Sequence, residues 1–503
     1  MKPYLLQHFL ENSAAQYPDK IALKHKDRVL TYAELRQKAQ NLGQGLRKKG
    51  VRRGDRVGLY LDKSLEQVIA IFGALYADAA FVIINSVLRA KQVRHIIRDC
   101  GVKLLITEEK YLEEFAESAA PKIYGAEFTK LLARETSAIF PQNIGEDIAS
   151  IIYTSGSTGL PKGIVLTHRN LIDGARSVSN YLKISAEEKI LGLLPFNFDY
   201  GLNQLTTSLY KGATLVLFQY FLPNSLLKTL ADEEITGLAA IPPIWTSVFG
   251  GKMADASRIN LPKLRYITNS GGRLPAPLVK KIRQAFPQTE LYLMYGLTEA
   301  FRSTYLDPRE VDRRPESIGK AIPGVEVEII NAEGKPCLPR ETGELIHRGA
   351  CITRGYWNDP EKTAEVYRPN PLLPRENQFL ETVVYSGDLA YKDEEGYLYF
   401  IGRKDNMIKT AGYRVSPAEV EEVLLQIPEV RDAVVFGTPD SELGYRIRAV
   451  VTVKKAVSPE HIIDHCKAAA PPYMTPQEVF IVANFPQTAS GKIDRPRIIE
   501  KYQ

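Results

Sequence analysis

Cysteine is scarce in this chain. Cys100, Cys337, Cys351 and Cys466 are the four among 503 residues, and none stands in CxxC spacing. That excludes a disulfide framework and gives no sign of a zinc site. His461, His465 and Cys466 do fall together on one predicted helix, but no second ligand group stands near them, so they read as structural. Long apolar runs are also missing, since no stretch approaches the roughly 18 residues that a membrane span requires. The opening "MKPYLLQHFLENSAAQYPDK" has neither an apolar core nor a small-residue cleavage site, which predicts a cytoplasmic protein. Basic blocks are lacking too. The net charge of +6 is spread thinly, and its densest cluster, "LRKKGVRRGDR" at 46–56, reads as a solvated helix end and turn. Neither nucleic acid nor a membrane surface is predicted as a partner.

The chain has 44% hydrophobic and 25% charged residues, enough apolar surface for a folded core. Its length favours a large domain built of subdomains plus a smaller one. "TYAELRQKAQNLGQGLRKKG" begins with Thr31 and Glu34 in capping-box spacing. It places Leu35, Ala39, Leu42 and Leu46 on one helical face and closes at Gly50. Short β-rich runs then alternate with amphipathic segments: "DRVGLYL", "SLEQVIAIFGALYAD", "AAFVIIN", "AKQVRHIIRDCG" and "VKLLIT". Such alternation predicts parallel sheet covered by helices. From about residue 320, "GVEVEII", "GELIHRG" and "GYLYFIGRKD" predict a mainly β subdomain, and the segment after Asp405 predicts a small α+β domain.

One stretch stands apart. "IIYTSGSTGLPKG", at 151–163, places four hydroxylated residues and three glycines behind an apolar run and ends on Lys162 and Gly163. The helical texture of "THRNLIDGARSVSNYL" follows, so the loop is read as bridging a strand to a helix, where phosphate loops sit. Backbone amides freed by Gly156 and Gly159, with the hydroxyls of Thr154, Ser155, Ser157 and Thr158, can donate to anionic oxygens, and Lys162 adds charge. The spacing is not GxxxxGK[ST], which disfavours a kinase or ATPase of that class.

This loop resembles the signature of the adenylate-forming superfamily: acyl-CoA synthetases, stand-alone adenylation domains of peptide synthetases and firefly-luciferase-like enzymes. Further motifs stand in the family's order. They are "NSGGRLP" at 269–275, "YGLTEA" at 295–300, "GELIHRG", "GYWNDPEKT", "YSGDLA", "GRKDNMIKTAGYRVSPAEVE" and "SGKIDR". The motif set is similar to that of acyl ligases found with bacterial exosortase and exopolysaccharide gene clusters. The fold implied is α/β, with a large amino-terminal domain (1–404) of parallel-rich sheets covered by helices plus a β subdomain. A small mobile carboxyl-terminal α+β domain (405–503) would turn on a hinge at Asp405.

The resemblance implies a two-step reaction. A carboxylate attacks the α-phosphorus of ATP to give an acyl-adenylate and pyrophosphate, and the acyl group then passes to the thiol of CoA or of a carrier-protein phosphopantetheine. By resemblance Thr298 touches the α-phosphate and Glu299 holds Mg²⁺. Tyr295 stacks on adenine against the backbone of Gly271 and Gly272, and Asp388 binds the ribose hydroxyls with help from Arg403. Lys492 would bridge the substrate carboxylate and the α-phosphate, Lys409 would serve the second step, and Gly412 would lie against the pantetheine arm. The segment "PFNFDYGLNQ" matches the acid-binding stretch. Phe198 corresponds to an aromatic gate there, and Asp199 to the aspartate that pairs the ammonium in amino-acid-activating members. The remaining pocket positions would be Tyr200, Asn203, Ala240, Ile267, Asn269, Met294, Arg302 and Ser303.

The expected substrate is therefore an amino acid. Arg302 qualifies that expectation: pointing inward it would pair a distal carboxylate, whereas pairing with Asp199 would leave the pocket neutral. Leu297, where amino-acid-activating domains usually carry proline, and "YRVSPAEVE" look closer to the acyl-CoA synthetase pattern. A ligase for a non-amino organic or fatty acid is thus the alternative. A luciferase-like oxygenase and a non-catalytic binding protein stand further off.

Overall fold

The computed structural model describes residues 2–88, 90–115, 120–133, 141–155, 161–250, 261–410, 413–440, 443–470, 472–488 and 491–503. The mixed α/β architecture expected from the alternating pattern is present. A six-stranded sheet carries Arg56–Tyr60, Ala80–Ile83, Leu104–Thr107, Lys122–Ile123 and Ile148–Ser155 in parallel, with Pro161–Thr167 antiparallel at its edge. The helix Tyr32–Lys48 starts at the Thr31/Glu34 capping box and buries Leu35, Ala39, Leu42 and Leu46. It crosses the helix Leu65–Tyr76 closely: a Cβ on Gly43 would lie 2.6 Å from the Cβ of Tyr76, so no side chain fits there.

A nine-stranded sheet stands beside the first. Its centre is parallel and runs through Glu290–Tyr295, Tyr266–Asn269, Gly237–Ala240, Lys189–Gly192, Thr214–Leu217 and Ile21–His25. Parallel strands bring their carboxyl ends to one edge, where open α/β sheets collect their ligands. One hydrophobic core joins the two sheets, from Phe9 and Tyr32 through Phe72 and Phe81 to Trp245 and Ile267. An antiparallel five-stranded sheet follows, built from Val325–Ile330, Gly343–Gly349, Tyr367–Pro369, Thr382–Lys392 and Leu398–Arg403. Beyond it the strands Val430–Asp440, Gly444–Val453 and Glu478–Val482 carry the helices Pro417–Leu425 and Pro459–Ala469 around a cluster of their own, which includes Ile408, Leu424, Val435, Ala449 and Cys466.

The strand-loop-helix reading of the glycine-rich stretch needs correcting. Ile148–Ser155 pairs antiparallel with Pro161–Thr167, down to Ser155 opposite Pro161, and the helix starts only at His168. The β-branched "GIVLT" extends the second strand before Thr167 caps the helix, so a paired strand stands between the glycine-rich stretch and the helix amino terminus. No helix among the described residues is long and apolar enough to cross a membrane. None of their His, Cys, Asp and Glu side chains form a group of three or more fit to hold a metal ion.

Candidate active site

Two residues past the strand Tyr266–Asn269 stands Gly271, with a positive φ of 76°. A Cβ on Gly271 would sit 3.3 Å from the Cε of Lys492 and 3.6 Å from its Nζ, so the absent side chain leaves room for the lysine. Lys492 arrives from a tight turn. Thr488 N–H donates to its carbonyl at 2.7 Å, and its own N–H donates to Thr488 Oγ1 at 3.2 Å. The Nζ lies 4.6 Å from the centre of the Phe198 ring, within cation–π range. Burial lowers the Lys492 pKa from its ordinary value, and the Asp199 charge opposes that shift. Lys492, Gly271, Phe198 and Asp199, from separate parts of the chain, therefore meet at the carboxyl edge of the nine-stranded sheet.

Asp199 opens the helix Asp199–Lys211 and is buried, as is Arg302. They form an ion pair: Nη1 of Arg302 lies 2.9 Å from Asp199 Oδ2, and Nη2 donates to the Asp199 carbonyl at 3.0 Å. Nη1 also donates to the carbonyl of Phe301 at 2.7 Å. Phe301 has a φ of +48°, a region a bulky L-residue seldom enters, and its ring fills the space left by Gly174. That turn redirects Arg302 onto Asp199. Of the two arrangements the sequence left open for Arg302, this is the neutral one, and the inward-pointing arginine that would hold a distal carboxylate is not found.

Tyr200 hydrogen-bonds Thr268, and Met294 accepts from Tyr181 at 3.0 Å. Tyr200, Asn203, Thr268 and Met294 line a cavity of about 20 Å³, room for a single water. Four buried polar atoms of these pocket residues have no partner among the described residues: Asn203 Nδ2, Asn269 Oδ1, Arg302 Nε and Ser303 Oγ.

On the opposite side, buried Asp388 takes Arg403 Nη1 on Oδ1 at 2.8 Å and the Tyr295 hydroxyl on Oδ2. Burial and the neighbouring carboxylate hold that hydroxyl protonated far above its ordinary range. The Tyr295 ring lies 6.0 Å from that of His347 at 21° and 6.3 Å from that of Phe400. His347 has no exposed surface, and burial lowers its pKa to about 3. Glu299 follows the buried Thr298, and its Oε1 accepts from the Tyr356 hydroxyl. Thr353 fixes the Glu299 backbone, donating from N at 3.0 Å and from Oγ1 at 2.9 Å to its carbonyl. Lys162 pairs with Asp359 at 2.8 Å.

Gly156, Ser157, Thr158, Gly159 and Gly412 lie outside the described residues, and of Ser155, Asp405 and Lys409 only the backbone is described. Sequence reasoning assigned nothing to Tyr356, Asp359, Thr353 or His347. All four stand inside the quoted motifs or next to them, but only the tertiary contacts reveal what they hold.

The family model of the AMP-binding enzyme matches residues 10–357, and that of the AMP-binding enzyme C-terminal domain matches 419–492. The chain belongs to the AMP-binding enzyme family. These are adenylate-forming enzymes, as the resemblance of the motifs implied. Among curated relatives, gramicidin S synthase 2 of Brevibacillus brevis is 30% identical over 505 residues, covering 98% of this chain but only 11% of its own length. The long-chain-fatty-acid–CoA ligase of Bacillus subtilis is 28% identical and is matched along 94% of its length, with 99% of this chain covered. Among solved structures, the anthranilate CoA ligase AuaEII in complex with anthranoyl-AMP superposes with a TM-score of 0.90 at 28% identity, covering 99% of this chain and 97% of that one. This AMP-binding enzyme thus spans a small fraction of the gramicidin synthase and nearly the whole of either CoA ligase.

Proposed function

We propose that this AMP-binding enzyme activates a monocarboxylic acid that carries no ammonium group, converting it with ATP to an acyl-adenylate and then to a thioester. The observation that carries the reading is the buried Arg302–Asp199 pair. Asp199 and Arg302 cancel, and Lys492 leaves one positive charge beside Phe198. An acid without an ammonium brings only a carboxylate for Lys492 to meet; an amino acid adds an ammonium, and the Asp199 carboxylate that would pair it is already engaged by Arg302. Uncompensated buried charge is expensive. The amino-acid expectation from Asp199 is weakened for this reason, since the carboxylate meant for the ammonium is already engaged.

In the first step a carboxylate oxygen attacks the α-phosphorus, a new P–O bond forms, and the bond to pyrophosphate breaks with the electron pair leaving on pyrophosphate. In the second a thiol sulfur, its proton lost to solvent, bonds to the acyl carbon, and the acyl carbon–oxygen bond breaks with the electron pair leaving on AMP. Lys492 holds the two anions together in the first step, its charge preorganised by the turn at Thr488. Asp388, oriented by Arg403 and Tyr295, accepts hydrogen bonds from the ribose hydroxyls. Thr298 donates to the α-phosphate, the 151–163 hairpin and Lys162 cradle the outgoing phosphates, and the segment after Asp405 brings Lys409 and Gly412 for the thiol step. Magnesium takes few protein carboxylates and fills its shell from phosphates, which suits a Glu299 steadied by Tyr356 through one oxygen. Bound there, the ion would neutralise phosphate charge.

Pyrophosphate release across α-amino acids, amino-dicarboxylates, aryl acids and aliphatic acids, each with CoA or a phosphopantetheinylated carrier, tests the reading and identifies the acceptor. Uncharged acids should exceed amino acids of matching size by about tenfold or more in kcat/KM, the equivalent of one buried charge imbalance of about 1.4 kcal/mol. A preference for α-amino acids overturns it. In Arg302→Met the freed Asp199 should shift preference toward amino acids, and the unpaired buried carboxylate should cost about 3–5 kcal/mol of stability.

A further inference from the structure

Lys63 lies between the strand Arg56–Tyr60 and the helix Leu65–Tyr76, beside the six-stranded sheet. Its ammonium reaches across to the other sheet and donates at 2.7 Å to each of three carbonyls, those of Gly192, Leu193 and Phe218. Gly192 and Leu193 end the strand Lys189–Gly192, and Phe218 follows the strand Thr214–Leu217. On the side of the strand Gly237–Ala240 the pairing stops at Leu191, while on the side of Thr214–Leu217 it continues to Gly192, whose carbonyl takes the Phe218 N–H at 3.3 Å as well as the lysine. Three N–H donors meet three acceptors, the full complement of a lysine. Burial lowers its pKa to about 7, and no charged group among the described residues opposes that shift.

Lys63 is only partly buried, yet taking its ammonium from water onto carbonyls alone is a costlier tie between two sheets than an apolar contact would be. What the cation adds is geometry, because it fixes three backbone atoms at once. From Leu193 the chain runs through Leu194, Pro195, Phe196 and Asn197 into Phe198 and Asp199. Phe196 is buried with its ring 5.9 Å from the ammonium. Gly201, in the first turn of the next helix, packs so tightly that a Cβ there would fall 2.1 Å from the Pro195 carbonyl oxygen. The segment between the Lys63 clamp and the helix therefore has no slack.

We infer that Lys63 is a positioning residue for the carboxylic acid: by clamping the strand ends it sets segment 193–199, and with it where Phe198 meets Lys492 and where Asp199 meets Arg302. This rests on the acid site assigned above. Lys63 touches neither substrate nor nucleotide in that assignment, so its effect should fall on one substrate.

The test is steady-state pyrophosphate release by the full chain, varying the acid at saturating ATP and ATP at saturating acid, using the best acid of the panel. Lys63→Met should raise KM for the acid by about tenfold or more while KM for ATP stays within about twofold. Lys63→Arg keeps charge and donors but not the three-point ammonium geometry; it should fold and raise the acid KM by a smaller factor, and it decides the matter if Lys63→Met does not fold. An unchanged acid KM in a folded variant, or equal rises for acid and ATP, overturns the inference. A wild-type enzyme silent with every acid overturns the underlying reading instead.

Discussion

Lys492 illustrates how little a residue's type says about its work. A lysine near a chain end is ordinarily solvated, yet here its Nζ lies 4.6 Å from the Phe198 ring with its stem against Gly271. Lys492→Ala should reduce acid-dependent ATP–pyrophosphate exchange by about 100-fold or more, as loss of an electrostatic contact to the reacting groups does. Thioester formation from supplied acyl-adenylate should survive, and equal loss of both half-reactions would remove the assigned role. The match to "SGKIDR" is enough to single out Lys492 in the sequence. Arg302 is the counter-example: its presence is visible, but whether it faces the substrate or Asp199 depends on the turn at Phe301 with its φ of 48°. No local pattern encodes that turn, because a bulky residue at positive φ is held there by packing against Gly174 and not by its own preference.

Elements are legible where their signals are local. The capping box at Thr31 and Glu34, the apolar face of the helix Tyr32–Lys48 and the alternating strands after it all act over a few residues, and they stand where the pattern places them. The glycine-rich stretch reads locally as strand-loop-helix, yet its second strand, Pro161–Thr167, is stabilised by pairing with Ile148–Ser155 and merges directly into the following helix. The helix Asp199–Lys211 depends on closeness of a different kind. Gly201→Ala would set a methyl against the Pro195 carbonyl, an obstruction by backbone that cannot rotate away. The variant should lose about 1–3 kcal/mol of stability in chemical denaturation, with KM for the acid raised more than KM for ATP. A variant as stable and as active as the parent would show that segment 193–199 yields easily.

At the scale of the whole molecule, the carboxyl-terminal segment is docked by Arg273, whose Nη1 and Nη2 reach Glu422 at 3.0 and 3.2 Å, and this docking brings Lys492 to the sheet edge. Stability should also depend on pH through buried imidazoles, His168 and His347 foremost, with burial lowering His8 as well. Burial lowers His168 to about 4 and His347 to about 3, and His168 Nδ1 accepts the Leu6 N–H at 3.0 Å, so protonation breaks a bond that ties the amino-terminal segment down. The unfolded chain takes up those protons near pH 6.5 while the folded one does not. The stabilisation is therefore complete above that value and is lost as pH falls toward 4 and then 3, with His168 alone worth about 3 kcal/mol. Urea denaturation between about pH 7 and 4 should show this fall, and His168→Gln should make it shallower while the His347 part remains; an unchanged slope would exclude His168 as a source. The sequence by itself determined the α/β class, the family and the residues expected to meet the nucleotide, because hydrophobic periodicity, caps and ordered motifs are written within short windows. Only the tertiary structure decided that Asp199 is neutralised by Arg302, that Lys63 joins two sheets and that a paired strand, Pro161–Thr167, separates the glycine-rich stretch from the next helix. Each of these depends on which distant groups share a poorly solvated space, and pairing across that distance leaves no mark on the residues' neighbours in the chain.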